Sequence, residues 1–263
     1  MRKINSIEEI RAIQLDMMDS IHQFCEERGI RYSLGGGTLL GAIRHKGYIP
    51  WDDDIDIMLP RPDYDRFYEE YPGYNKNYIV QDYRNEKESC YPFIKVIDNR
   101  TILKELLIVN GVYIDVFPLD GYPDEEYLLP FYKKYKRLRK HLYYTTRGKR
   151  FKSLSLFRKF TYLIQKPFMP DHDTAVRECE ECVRTYDFET SKYAGCLIGV
   201  YGDRERMDAS VFKSYTTVEF EGHKYKAISD YDAYLTRHYG NYMELPPKEE
   251  QVSRHSFEVW WKE

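Results

Sequence analysis

No stretch of this 263-residue chain approaches the about 18 consecutive apolar residues of a membrane-spanning helix, so no span is expected. The opening residues, MRKINSIEEIRAIQLDMMDSIHQF, lack the roughly 7-residue apolar region of a secretory signal and carry charges in its place. Cysteine is scarce. Cys25, Cys90, Cys179, Cys182 and Cys196 are odd in number and without framework spacing, which argues against a disulfide scaffold and for a reducing cytosol. Cys179 and Cys182 make a lone Cys-x-x-Cys with only His172 and Cys196 near in sequence, so ordinary thiols are preferred over a zinc site. Repeats and low-complexity linkers are also missing, and the length suits one large domain or a domain with an insertion.

Negative charge is the sharpest local absence. Tyr127 to Pro170 contains 13 Lys or Arg and no Asp or Glu, although the whole chain holds 40 basic and 43 acidic residues. The remainder then carries 27 basic against 43 acidic residues, so one lobe must be strongly positive. That lobe could attract a membrane or an anionic acceptor, could be a solvated helix pair, or could touch RNA. Aromatic residues, by contrast, make up 16% of the chain and include 26 Tyr, so packing should rely on rings that keep a polar tip in water.

Against these absences stands one dense stretch, Leu34 to Ile57, LGGGTLLGAIRHKGYIPWDDDIDI. Asp52, Asp53, Asp54 and Asp56 crowd its end, and from Asp54 onward Asp-Ile-Asp-Ile-Met-Leu alternates with the period of a strand. Asp54 and Asp56 should then share one face while Ile55 and Ile57 enter a core. Same-face carboxylates about 7 Å apart repel by roughly 2.4 kcal/mol at an effective dielectric of ~20. A raised pKa would relieve this, and so would a hard divalent cation such as Mg2+ or Mn2+. A calcium loop is excluded because Ile57 stands where Gly is needed and Asp63 where a bidentate Glu is needed. A glycosyltransferase-type Asp-x-Asp remains a competitor.

The same stretch begins with Gly35, Gly36 and Gly37 after the apolar RYSL, and Thr38 to Arg44 reads as a helix start. A glycine turn into a helix N-terminus lets backbone N–H groups approach an anion, so Gly36, Gly37 and Thr38 are candidate phosphate ligands. It is not a Walker loop, because Ala42 and Ile43 occupy the Lys and Ser/Thr positions. Arg44, with His45 and Lys46, could balance a diphosphate, and Lys95 on the apolar Phe93 to Ile97 segment is a second candidate cation.

A glycine turn, a short helix and an Asp-x-Asp strand resemble the nucleotidyltransferase core. The wording GGGTLLGAIRHKGYIPWDDDIDI is more specific and resembles the LicD family, whose members transfer phosphocholine or similar phospho-alcohols from CDP-activated donors and to which the fukutin-related proteins are akin. The resemblance is strong from Tyr32 to Arg66, continues in YIDVFPLDG (Tyr113 to Gly121) and returns weakly in YGNYMELPP (Tyr239 to Pro247). It implies a metal held by Asp54, Asp56 and a third carboxylate, Asp115, with Asp115 acting on the acceptor hydroxyl and Asp52 lending support. Arg254 and His255 echo the family as substrate contacts.

In chain order, residues 6 to 29 predict a helix with Ser6 and Glu9 as a capping box and Gly29 as its stop. A helix follows Pro60, with Asp63 as its expected cap. YIVQDY and YPFIKVID predict paired strands around NEKES, VYIDVFPLDG another strand, and Asp120 a turn before Gly121. Residues 124 to 190 should be helical, interrupted near Gly148 and at KPFMPDHD. VEFEGHKYKAISDYDAYLTRHYG predicts a hairpin and a helix ending at Gly240, and the last residues a loop with an aromatic cluster.

These readings predict an α+β fold, a nucleotidyltransferase-like mixed β-sheet core flanked by helices with a basic helical insertion. Residues 1–122 form the core, 123–190 the insertion, and 191–263 complete the core and acceptor side. The implied activity is transfer of a phospho-alcohol, phosphocholine from CDP-choline first, to a hydroxyl of a cell-surface glycan such as a teichoic-acid or lipopolysaccharide precursor. The implied partners are a CDP-activated donor and an anionic or lipid-linked acceptor, met in the cytoplasm at the inner membrane face, with nucleic acid disfavoured. The rivals are a nucleotidyltransferase attaching NMP to a small molecule or RNA, and a non-catalytic anion-binding module.

Overall fold

The amino-terminal capping box and apolar stripe produce the first part of the core. In the computed structural model, which describes residues 1–86, 92–105, 108–147, 155–199, 201–252 and 258–262, strand β1 (Arg2–Ile4) leads into helix α1 (Ile7–Arg28). The Glu9 N–H donates to Ser6 Oγ at 3.3 Å, and Gly29 closes the helix in the left-handed region at φ 61°. Ile10, Ile13, Met17, Ile21 and Phe24 are buried along one side, as the periodicity predicts.

Strand β2 (Ser33–Leu34), helix α2 (Gly36–His45), strand β3 (Asp56–Pro60) and helix α3 (Arg61–Glu70) follow. Two expectations are corrected here. The Asp-bearing strand starts at Asp56 rather than Asp54, because side chains of α1 hold the preceding loop by its carbonyls: Arg11 Nη2 donates to the Asp52 carbonyl at 2.6 Å and Gln14 Nε2 to that of Asp53 at 3.0 Å. Asp63 is not the cap of α3. It lies within the first turn, and its carboxylate accepts from the Arg31 N–H at 3.1 Å and Arg31 Nε at 2.7 Å.

Strands β4 (Tyr78–Gln81), β5 (Ile94–Asp98), β6 (Thr101–Glu105), β7 (Ile108–Asn110) and β8 (Tyr113–Tyr122) come next. β4 and β5 pair antiparallel as expected; most of the NEKES loop lies outside the described residues. β8 organises the main sheet. One edge pairs in parallel with β3, and the other pairs first with β5 and then, from Asp120 on, with β9 (Tyr193–Gly195). Asp120 is therefore a strand residue and not the turn predicted for it. It is 1% exposed and receives Arg61 in two hydrogen bonds of 2.7 and 2.8 Å. Gly121 pairs with Ala194 of β9, and only glycine fits there because a Cβ would meet the Asp187 and Tyr186 carbonyls at 2.6 and 2.7 Å.

The acid-free segment supplies most of helix α4 (Glu125–Arg147) and all of α5 (Leu156–Gln165); α6 (His172–Val183), which carries acids, follows it and packs against α4, and the predicted break at Gly148 lies outside the described residues. After β10 (Met207–Asp208), the hairpin β11 (Tyr215–Phe220) and β12 (His223–Ile228) precedes helix α7 (Tyr231–Tyr239), which ends at Gly240 as expected. The final residues are not all loop. β13 (Glu258–Trp261) joins a four-stranded sheet ordered β1-β13-β6-β7 and brings the two chain ends together. The architecture is the mixed α+β, nucleotidyltransferase-like arrangement that the sequence predicts. No helix among the described residues is long and apolar enough to cross a membrane.

Candidate active site

The period of two divides β3, β8 and β5 into two faces. Ile57, Leu59, Ile94, Val96, Ile114 and Val116 are fully buried on one of them. The other face presents Asp56 and Met58 on β3, Asp115 and Phe117 on β8, and Phe93 and Lys95 along β5. Register then does what sequence spacing could not: Asp56 is the cross-strand partner of Asp115, and Asp115 that of Lys95. Where β8 exchanges β5 for β9 the sheet forks, and a cavity of about 480 Å³ opens over this polar face. Asp54, Asp56 and Asp115 all line it, together with Gly35 and Gly36.

Negative charge is concentrated there. Asp52, Asp53 and Asp54 can each bring a carboxylate oxygen within 4.8 Å of the others. Burial, and then the charges of Asp54, Asp115 and Asp52, push the Asp56 carboxyl well above the usual carboxylate range, with Lys95 opposing in part. Lys95 is 4% exposed. Its Nζ donates to Asp115 Oδ1 at 2.5 Å and lies 3.5 Å from the centre of the Tyr113 ring. Lys95 therefore reaches the predicted site by way of Asp115. The donor set consists of carboxylate oxygens beside one ammonium, which fits a hard divalent cation.

The glycine turn is fitted to the same carboxylates. Gly36 adopts φ 48°, where side chains are strained, and a Cβ on it would lie 3.3 Å from Asp56 Oδ2; one on Gly37 would lie 2.7 Å from Asp52 Oδ2. The Gly35 N–H donates to the Asp56 carbonyl at 2.9 Å, and the Gly36 N–H to the Tyr234 hydroxyl at 3.3 Å. The positive end of α2 thus faces the acidic cluster. The Thr38 hydroxyl accepts the Asp56 N–H at 2.8 Å with only 4% of the residue exposed, so this side chain fixes the start of β3.

Not every expected residue converges on the cavity. Arg44 sits at the far end of α2, about 12 Å along the helix axis from Gly36, and its Nη1 donates to the Tyr242 and Glu244 carbonyls at 2.8 and 3.2 Å. Arg254 and His255 lie outside the described residues. Cys179 and Cys196 line the cavity wall, but burial pushes the Cys179 thiol up to about 12 and raises that of Cys196 as well, so both stay neutral. Among the described residues no cysteine belongs to a possible metal cluster.

Other residues had not been singled out. Tyr135, Arg139 and Leu142 of α4 form one wall, so the basic segment contributes directly to the cavity, and Arg139 brings a cation to it. Tyr201, Glu205 and Tyr234 also line the cavity. The Tyr201 and Tyr239 hydroxyls are 2.5 Å apart, and Glu205 Oε2 lies 3.3 Å from His238 Nε2. His238 Nδ1 faces the Tyr234 carbonyl at 2.8 Å, a group that can only accept. Burial keeps the Tyr234 and Tyr239 phenols well above their usual range, leaving them as neutral hydrogen-bonding groups. Gln14 carried a readable signal, a polar residue within the apolar stripe of α1. It is 3% exposed and holds both the Asp53 carbonyl and the Tyr48 hydroxyl.

Comparison with known proteins agrees with the fold. The LicD/FKTN/FKRP nucleotidyltransferase domain matches residues 29–161. The chain is 31% identical over 277 aligned residues to the lipopolysaccharide cholinephosphotransferase LicD of Haemophilus influenzae, an alignment covering 99% of each protein. An uncharacterised protein of Rickettsia typhi is 32% identical over 49% of this chain and 41% of its own length. A short segment of 34 residues, 13% of this chain, is 59% identical to human ribitol 5-phosphate transferase FKRP, of which it covers 7%.

Proposed function

The chain belongs to the LicD/FKTN/FKRP family of nucleotidyltransferase domains and is a transferase of phosphate-containing groups; from that premise we propose that it moves phosphocholine from CDP-choline to a hydroxyl of a cell-surface glycan precursor. The observation that carries this reading is the pairing of Asp56 with Asp115 on one sheet face, beside Asp54 and the glycine N-terminus of α2. Asp54, Asp56 and Asp115 would hold Mg2+ or Mn2+, which when bound supplies positive charge to the donor diphosphate and to the departing CMP.

The chain's own residues do the rest. The N-terminal turn of α2, with Gly36 lining the cavity and Gly37 beside Asp52, orients the phosphates. Asp115, held in place by Lys95, takes the proton of the acceptor hydroxyl as its oxygen bonds to phosphorus and the bond to CMP breaks. Arg139 balances charge at the wall. Phe93, Phe117, Tyr135, Tyr201 and Tyr234, with Glu205, surround the remaining volume, and that lining suits a quaternary ammonium better than a neutral polyol.

We take residues 1–122 and 191–263 as the catalytic core, because β9 rejoins β8, and 123–190 as an insertion that helps to choose the substrate. The acceptor is lipopolysaccharide, the substrate class in the relative's name, or a teichoic-acid precursor, met at the cytoplasmic face of the membrane. The test is to incubate the protein with labelled CDP-choline and, separately, with CTP. Acceptor-dependent CMP release from the first supports the reading. Pyrophosphate release from CTP with no reaction of CDP-choline would replace it with nucleotidyl transfer.

A further inference from the structure

Helix α5 buries none of its ten residues, although a helix so short is marginal in water without packing. At about 100° per residue, Leu156, Phe157, Phe160, Leu163 and Ile164 fall on one stripe. They are 84, 76, 63, 56 and 54% exposed, and Phe168 just beyond the helix is 84% exposed. Tyr162, on the opposite side, lines a second cavity of about 310 Å³ with Tyr144 and Thr145 of α4 and His172 of α6. The helix therefore meets the rest of the protein by its polar side and turns its apolar side outward. Arg158, Lys159 and Lys166 lie off the stripe, and Lys133, Lys134, Lys136, Arg137 and Lys140 of α4 are exposed nearby in sequence.

We propose that this stripe docks on the surface of an anionic lipid bilayer, with α5 lying in the membrane plane. Its apolar side chains would enter the boundary between head groups and acyl chains while Lys159 at the edge of the stripe, with the positive field of the segment, attracts lipid phosphates. The helix is about 15 Å long, half of what a crossing of the hydrocarbon core needs, so it lies on the bilayer. Charge decides between occupants. A second copy would bring one acid-free segment of 13 cations against another, whereas anionic lipid supplies the missing counter-charge. The proposal rests on the inner-face placement proposed above and leaves the chemistry of transfer untouched.

The test is flotation of the full-length protein with vesicles of phosphatidylcholine alone and of phosphatidylcholine mixed with phosphatidylglycerol, read without donor or acceptor. The expected result is binding to the anionic vesicles at least ~10-fold tighter than to the neutral ones, weakened by salt. Phe160→Glu combined with Leu163→Glu should keep the circular dichroism and Tm of the parent, because both side chains are exposed, and lose vesicle binding by at least ~10-fold. Arg158→Glu combined with Lys159→Glu should weaken binding to anionic vesicles only. No flotation with anionic vesicles, or undiminished flotation of the Phe160→Glu, Leu163→Glu protein, overturns the proposal. So does a concentration-dependent dimer abolished by that same pair, which assigns the stripe to a second copy. CMP release by a protein that does not bind vesicles would sink the docking alone.

Discussion

Replacing Asp56 with Asn should stabilise the metal-free protein while ending its activity. Asp56 and Asp115 are cross-strand partners, so their carboxyl groups lie about 5 Å apart, and two full charges at that separation repel by about 3.3 kcal/mol at an effective dielectric of ~20. Asp54 and Asp52 add to this and Lys95 offsets part, leaving about 2 kcal/mol to be gained when Asp56 is fully ionised. The pH dependence has a definite sign. A carboxyl whose folded-state pKa is raised contributes stability that is complete below its unfolded value and is lost as pH rises through the folded value. Metal-free parent protein should therefore lose stability as the solution becomes more basic, and Asp56→Asn should lose less. At the basic end the variant's Tm should be higher by about 4 °C, taking about 2 °C per kcal/mol for a chain of this size. Saturating Mg2+ or Mn2+ at ~100 times its Kd should raise the parent Tm by about 5 °C and the variant's by much less. Differential scanning calorimetry in chelator, then in added cation, reads both. A variant less stable than the parent in chelator, or equal cation shifts in the two proteins, would refute the charge-crowding argument.

Three further outcomes are expected. Arg139→Ala should raise the KM for a diphosphate donor and cut kcat/KM about 10- to 100-fold, the worth of a charge-assisted hydrogen bond, with Tm unchanged; steady-state kinetics beside a melting curve checks this. Glu205→Gln should raise KM roughly 10- to 30-fold for a choline-bearing donor and little for one carrying an uncharged alcohol; a loss common to both donors would remove Glu205 from head-group selection. Asp120→Ala leaves the Arg61 guanidinium buried without its bidentate partner and should cost about 3–5 kcal/mol, a fall in Tm of about 6–10 °C, with metal binding retained in protein that remains folded.

What could be read from the sequence was whatever depends on local period and local caps. The capping box at Ser6, the stop at Gly29, the hairpin before α7 and the alternation that sets Asp56 and Asp115 apart from their apolar neighbours are all properties of a few adjacent residues. What escaped depends on distant partners. The strand starts at Asp56 because Arg11 and Gln14, about forty positions earlier, occupy the carbonyls of the acidic loop. Asp120 beside Gly121 has the composition of a turn, yet Arg61 and the pairing with β9 hold both residues in a strand. Arg44 is close to the glycines in sequence, and a helix of rigid pitch carries it away from them. Arg139 was hidden among six basic residues in KKYKRLRK, all alike until the packing of α4 turned one toward the cavity. β13 was missed because four residues are too few to show a period.

Crystals grown with Mn2+ and examined by anomalous scattering ask most directly whether the crowded carboxylates exist to hold a cation. The expected result is a peak in contact with Asp54, Asp56 and Asp115 inside the cavity, absent from Asp56→Asn crystals grown identically. No peak there, or a peak confined to Asp52 and Asp53 on the loop with Asp115 still bound to Lys95, would contradict the account.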